Sequence, residues 1–143
     1  MIRKDVVIIG AGAAGLQCGI ESAKAGRNTI LLEHNRMIGT KILISGGGRC
    51  NFTNINAGPS NYTSSNPHFH KSALTRYTPN DFIDLVEQYK IDYYEKTLGQ
   101  LFCKNSSREI VALLQSEADK YGLEIQTSTK VAEIKKANDG KYY

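Results

Sequence analysis

The chain has 143 residues, a formal charge of +4, 41% hydrophobic residues and 22% charged residues. These values suit a soluble globular domain and exclude a disordered, collagen-like or coiled-coil chain. One domain of this length can bury a core, but two separate ligand sites would crowd it.

Asp5-Val6-Val7-Ile8-Ile9 is a β-branched run that predicts a parallel strand covered on both faces and ended by Gly10. Residues 13–25 carry Leu16, Ile20 and Ala23 at helical spacing, with Gly26 placed for a left-handed cap. Residues 28–33 read as a second buried strand, completing a right-handed βαβ unit. Residues 34–78 lack periodicity and are rich in Gly, Asn, Ser and Pro, so a long functional loop is expected there.

Thr78-Pro79-Asn80-Asp81 starts a helix with Thr as its cap, and Phe82, Leu85, Val86 and Tyr89 form its apolar stripe. Ser106-Ser107-Arg108-Glu109 starts another through a capping box, with the stripe Ile110, Leu113, Leu114 and Tyr121 and Gly122 as its end. Residues 123–126 predict a third parallel strand beside the second. Residues 130–136 alternate as a strand and reach Asn138-Asp139-Gly140, the signal of a β-hairpin turn. So little chain follows that turn that the hairpin reads as cut short and the domain as truncated. The expected fold class is α/β, a Rossmann-type βαβ fold with a parallel sheet followed by that hairpin, the architecture of FAD/NAD(P)-binding domains if the turn after the first strand carries their glycine fingerprint.

Gly10-x-Gly12-x-x-Gly15 lies between a predicted strand and a predicted helix, the context in which this pattern binds dinucleotides. Gly10 permits the tight turn, Gly12 lets backbone approach a pyrophosphate at the helix N-terminus beside Ala13 and Ala14, and Gly15 allows helix to pack on strand. Glu33 ends the second strand 23 positions after Gly10, where a carboxylate accepts from ribose hydroxyls and disfavours a 2′-phosphate; His34 follows it. Both FAD and NAD use this fingerprint, so at this point it also fits an NAD-binding dehydrogenase domain or a nucleotide-binding module without turnover.

The segment that follows, with Lys41 and the run Ser45-Gly46-Gly47-Gly48-Arg49-Cys50-Asn51-Phe52-Thr53-Asn54, resembles the BaiN-like (YhiN-like) family of FAD-dependent oxidoreductases. Leu98-Gly99-Gln100-Leu101-Phe102 is similar too, although Gln100 and Cys103 stand where members commonly carry Arg and Pro. The resemblance spans the chain and corresponds to the first third or so of a family member. It implies an N-terminal part of an FAD-binding domain over residues 1–143, in a parent oxidoreductase acting on a small organic substrate. It also implies cofactor contacts from Lys41, the residues 45–51 and the backbone near Val131. Backbone N–H groups of the glycine run suit a phosphate or flat ring atoms.

Cys50 suggests a redox disulfide by analogy with glutathione reductase, but Cys18 and Cys103 are remote in sequence, so packing or flavin contact is expected instead. Cys18 is expected in the core and Cys103 in a loop. The three cysteines form no Cys-x-x-Cys pair and suggest neither disulfide nor zinc. His68 and His70 flank Phe69 in a polar loop and read as surface, so no metal is expected. Lys and Arg are interleaved with acids in the predicted helices, which argues against a nucleic-acid partner. The apolar runs are too short to cross a bilayer, which argues against a membrane role and, with the odd cysteine count, for the cytoplasm. No catalytic residue is named. The chain alone is expected to be inactive and, with open strand edges, prone to self-association.

Overall fold

In the computed structural model, which describes residues 3–142, the β-branched run forms β1 (Val6–Ile9) and the fingerprint opens α1 (Ala13–Lys24). Leu16 and Ile20 of α1 are buried, and Gly26, with φ +77°, takes the left-handed position after the Ala25 cap. β2 (Thr29–Leu32) pairs in parallel with β1, Val6 opposite Thr29 and Ile9 opposite Leu32. β2 also pairs in parallel with the strand Glu124–Gln126, as expected, and the order is that of the first half of a doubly wound sheet. With Leu31, Leu114, Ala118 and Leu123, these elements make the core of one compact unit, built from the described residues up to Thr40 and from Leu114 on.

Lys41–Leu113 form a second compact unit. The segment read as a long loop holds α2 (Thr40–Ile44), a 3-10 turn (Ser45–Gly48), β3 (Asn51–Asn54), a 3-10 turn at Pro59–Asn61 and α3 (Lys71–Arg76). α4 (Pro79–Gln88) begins as expected: Thr78 accepts from the Asp81 N–H, and the Thr78 N–H donates to the Asp81 carboxylate at 2.6 Å. β4 (Tyr93–Glu95) and β5 (Gln100–Cys103) complete an antiparallel sheet of order β3-β5-β4. Phe52 of β3 packs its ring against Phe82 and Tyr93, and Tyr94 stacks on Phe102. α5 (Arg108–Lys120) opens at the expected box, with the Ser106 N–H donating to Glu109 and the Arg108 N–H donating to the Ser106 hydroxyl. Ile110, Leu113 and Leu114 are buried along it, and Gly122, with φ +69°, leads into β6 (Glu124–Gln126).

Two expectations are corrected here. β1 is not covered on both faces, since Val7 and Ile9 are 56% and 55% exposed. Residues 130–135 form no strand: the turn at Asn138 to Gly140 is present, but only an isolated Lys136–Tyr142 bridge closes it. A strand needs a ladder of partners, and one bridge supplies a single rung.

Candidate dinucleotide site

Gly10 carries the chain off β1 with φ +100°, a conformation open to glycine and costly for other residues. Its N–H donates to the Leu32 carbonyl at 2.8 Å, tying the turn to the end of β2. A Cβ on Gly15 would stand 1.9 Å from the Gly10 carbonyl oxygen, so glycine alone lets α1 lie this close to the turn. Gly12 has ordinary dihedrals, φ −81° and ψ −175°, and nothing lies within 4 Å of where its Cβ would be. The space is open, and a side chain would fill it. α1 starts there with no side-chain cap and no acid in its first turn, so no side chain competes for the N–H groups of Ala13, Ala14 and Gly15.

Glu33 is only 5% exposed and organises the turn from below. Its Oε2 accepts from the Ala11 N–H at 2.7 Å. Its Oε1 accepts from the Asn35 backbone N–H at 2.7 Å and the Asn35 side-chain amide at 2.8 Å, with His34 Nδ1 at 3.1 Å. These interactions, the Asn35 backbone bond foremost, hold the Glu33 carboxyl below its ordinary range although burial opposes them. The acid therefore stays ionised. Oε1 is filled by these donors, whereas Oε2 keeps a lone pair for a ribose hydroxyl.

A cavity of about 230 Å³ opens beside this turn, lined by Ile9, Gly10, Leu32, His34, Thr129, Lys130 and Val131. Three of the expected contacts, Gly10, His34 and Val131, thus meet at one place. The cavity is below the roughly 300–1,000 Å³ of ordinary ligand pockets, the size of part of a dinucleotide. A larger, open cavity of about 320 Å³ in the other unit, lined by Glu87, Lys90, Ile91, Asp92 and Tyr93, gathers none of the expected site residues.

In the second unit the glycine run is a left-handed turn: Gly46, Gly47 and Gly48 have φ of +57°, +66° and +84°, and Cys50 has +51°. A Cβ on Gly46 would lie 2.7 Å from the Phe102 ring and 2.9 Å from the Asn51 nitrogen. Ser107 pins the run from a distance in sequence, its N–H donating to the Gly48 carbonyl and its hydroxyl to the Leu43 carbonyl, both at 2.8 Å. Ser45 donates to the Ile42 carbonyl at 2.8 Å. Lys41, Arg49 and Asn51 are exposed.

Cysteine placement differs from expectation. Cys18 is exposed, not core, and Cys103 is a fully buried residue of β5, not a loop thiol. β3 pairs with β5, and the Cys103 N–H donates at 2.9 Å to the carbonyl of Arg49, so Cys50 and Cys103, far apart in sequence, are spatial neighbours. Burial raises both thiols, and Cys103, with Cys50 and Glu109 adding to the effect, is pushed up to about 12. Both stay protonated at neutral pH, as packing residues do.

Sequence reading missed Ala11, Asn35 and Ser107. Ala11 sits inside the fingerprint and Asn35 two residues past the acid, so both were within reach of a closer local reading. Ser107 acts 59 residues from Gly48 and leaves no local signal. No group of three potential metal-ligating side chains occurs among the described residues, nor is any helix there long and apolar enough to cross a membrane.

The parallel sheet and the glycine turn at the start of α1 define a Rossmann-type dinucleotide-binding fold. Residues 4–143 match the family described as the HI0933-like protein Rossmann domain, and the chain belongs to that family, the YhiN/BaiN-like FAD-dependent oxidoreductases. It is 52% identical over 136 residues to a ribosomal RNA dihydrouridine synthase of Haemophilus influenzae, covering 94% of this chain and 34% of that protein. It is 49% identical to a protein of the same name in Escherichia coli, covering 98% of this chain and 35% of that one. A 3-dehydro-bile acid Δ(4,6)-reductase of Clostridium scindens is 28% identical over 93% of this chain and 33% of that protein. This chain thus spans about a third of the length of these relatives. The solved 3-ketosteroid-Δ4-(5α)-dehydrogenase of Rhodococcus jostii matches 97% of this chain and 43% of that one with a TM-score of 0.65, a likeness of fold at 14% identity.

Proposed function

We propose that the parent protein binds FAD and reduces the C5–C6 double bond of uridine in ribosomal RNA. The open glycine turn supports the cofactor reading: Gly12 leaves room for a pyrophosphate, the first N–H groups of α1 have no competing cap, and Glu33 keeps an acceptor for ribose. In this reading Gly10, Gly12, Ala13, Ala14, Gly15, Glu33, His34 and Val131 hold the ADP half. Lys41, Ser45, Gly46, Gly47, Gly48, Arg49, Cys50 and Asn51 supply further cofactor contacts. Reduced FAD would supply hydride equivalents, and the protein positions and desolvates the reactants. The substrate reading is carried by the 52% and 49% identity to relatives named ribosomal RNA dihydrouridine synthases, and it departs from the sequence expectation of no nucleic-acid partner.

The small organic substrate expected from the sequence is a second reading, favoured by the 28% identity to a bile-acid reductase. The two readings share a chemistry: uracil and a steroid dienone each carry a C=C bond conjugated to a carbonyl, reduced by two electrons and two protons. Full-length protein, reduced with dithionite, is incubated with unmodified ribosomal RNA and separately with a steroid enone, and both products are analysed by mass spectrometry. Dihydrouridine in the RNA supports the first reading; turnover of the enone with untouched RNA replaces it by the second. A purified protein that releases NAD in place of FAD overturns the flavin reading itself.

The 143-residue chain by itself should hold FAD weakly and turn nothing over, since it spans about a third of its relatives. The exposed Val7 and Ile9 face favours self-association. Titration with FAD alongside light scattering tests both, and tight flavin binding by a monomer would reverse them. The three free cysteines accord with a cytoplasmic protein.

A further inference from the structure

The acidic residues are unevenly distributed. Between Glu33 and Asp81 lie 47 residues without one Asp or Glu but with five Lys or Arg, so the rest of the chain, with 13 cations and 14 acids, is net negative. Within this stretch, the part from Pro59 to Tyr77 is almost wholly exposed. Phe69 is 78% exposed and Tyr62 49% exposed, which costs hydration free energy unless a partner covers them. The Tyr62 ring is braced, and a backbone turn sets the position of Phe69. Tyr62 stacks on His70 at 5.8 Å with planes 29° apart, His70 Nε2 meets the Pro59 carbonyl at 3.0 Å, and the Phe69 N–H donates to the Asn66 carbonyl at 3.1 Å. α3 then begins with Lys71, two positions after Phe69, and ends with Arg76; Lys71 Nζ lies 3.4 Å from His68 Nδ1.

Exposed rings followed by cations, in a stretch of chain that itself carries no carboxylate, are what an unpaired nucleic-acid strand needs: bases stack on the rings, and phosphates pair with the cations. We propose that the segment Pro59 to Tyr77 is a docking surface for single-stranded RNA, with Phe69 and Tyr62 stacking bases and Lys71 and Arg76 pairing phosphates. It rests on the ribosomal RNA reading of the substrate. A duplex would hide its base faces from these rings, so unpaired loops are the preferred ligand.

The test uses the full-length, FAD-loaded protein and a fluorescein-labelled single-stranded RNA oligonucleotide containing uridine, read by anisotropy over a range of salt. F69A should weaken binding roughly five- to a hundredfold by loss of stacking. K71E with R76E should flatten the slope of log affinity against log salt by about 1.4, two phosphate contacts at about 0.7 each. K135E, an exposed control, should leave both unchanged. All these side chains lie on the surface, and the flavin absorbance and melting curve of each variant report its fold. Failure of the wild-type protein to bind the oligonucleotide, or variants with wild-type affinity and slope, overturns the proposal. Dihydrouridine formation is scored in parallel: variants that still modify RNA at the wild-type rate and affinity sink this surface but leave the substrate reading standing. A wild-type protein that binds the oligonucleotide through these residues yet forms no dihydrouridine keeps the surface and removes that reading.

Discussion

The two glycine-rich turns use the same residue for different reasons. In the turn between β1 and α1 only Gly10, at φ +100°, answers to handedness; the other two glycines answer to space, Gly15 leaving room for the Gly10 carbonyl and Gly12 leaving room that no protein atom uses. In the turn at Ser45–Gly48 the demand is for handedness, with three consecutive glycines at positive φ and only Gly46 also crowded. A glycine pattern therefore does not reveal its own cause. The void at Gly12 is the one feature of either turn that the folded chain leaves unexplained, and it points outward to a ligand.

Substitutions can separate these causes. Gly15→Ala should have the largest effect, because its Cβ would meet backbone at 1.9 Å and neither β1 nor α1 can yield without losing register. A loss of about 3 kcal/mol or more is expected in urea denaturation. Gly46→Ala adds a left-handed penalty of about 1–2 kcal/mol to contact with Phe102 and the Asn51 nitrogen, so about 2–3 kcal/mol is expected. A wild-type denaturation midpoint for Gly15→Ala would contradict the packing account of the first turn.

Glu33→Ala comes next, leaving the buried Ala11 N–H and the Asn35 N–H without their acceptor, at about 1.5–3 kcal/mol. Its pH signature distinguishes it from a packing defect. The folded carboxyl titrates below its ordinary 4.5, so its stabilisation is fully present above 4.5 and drains away as pH falls through the lower folded value. The gap between wild type and variant should therefore be constant from neutral pH down to about 5 and close under more acid conditions. A gap independent of pH would show that charge plays no part. Gly47→Ala, with open space around its Cβ, should cost only the handedness term of about 1–2 kcal/mol.

The contrast between the turns also explains what was legible in the sequence. β1, α1, β2 and β6 announced themselves because each signal lies within a few residues: a β-branched run, a helical stripe, a capping glycine. α4 and α5 were legible through Thr78 and Ser106, whose caps close locally. The antiparallel sheet was not, because β3 finds its partner β5 across some fifty residues and each strand is only four residues long. The same distance hid the proximity of Cys50 to Cys103 and the hold of Ser107 on Gly48. Val7 and Ile9 misled in the opposite way, since an apolar run records what a strand can bury and not what covers it.

Gly12→Val should have the smallest effect on the fold and the most specific effect on function. The backbone there already sits in a region that a β-branched residue prefers, and what is lost is the modest advantage of glycine over valine at a helix N-cap, so about 1 kcal/mol of stability is at stake. The added methyl groups would occupy the open space over the first N–H groups of α1, where the pyrophosphate is proposed to lie. In the full-length protein the variant should fold with a near wild-type melting curve once FAD is stripped from both, yet retain no yellow colour on purification. Gly15→Ala should lose flavin and stability together. If Gly12→Val instead purifies with a full complement of FAD, the void is not the cofactor's, and the N-terminus of α1 holds something else or nothing.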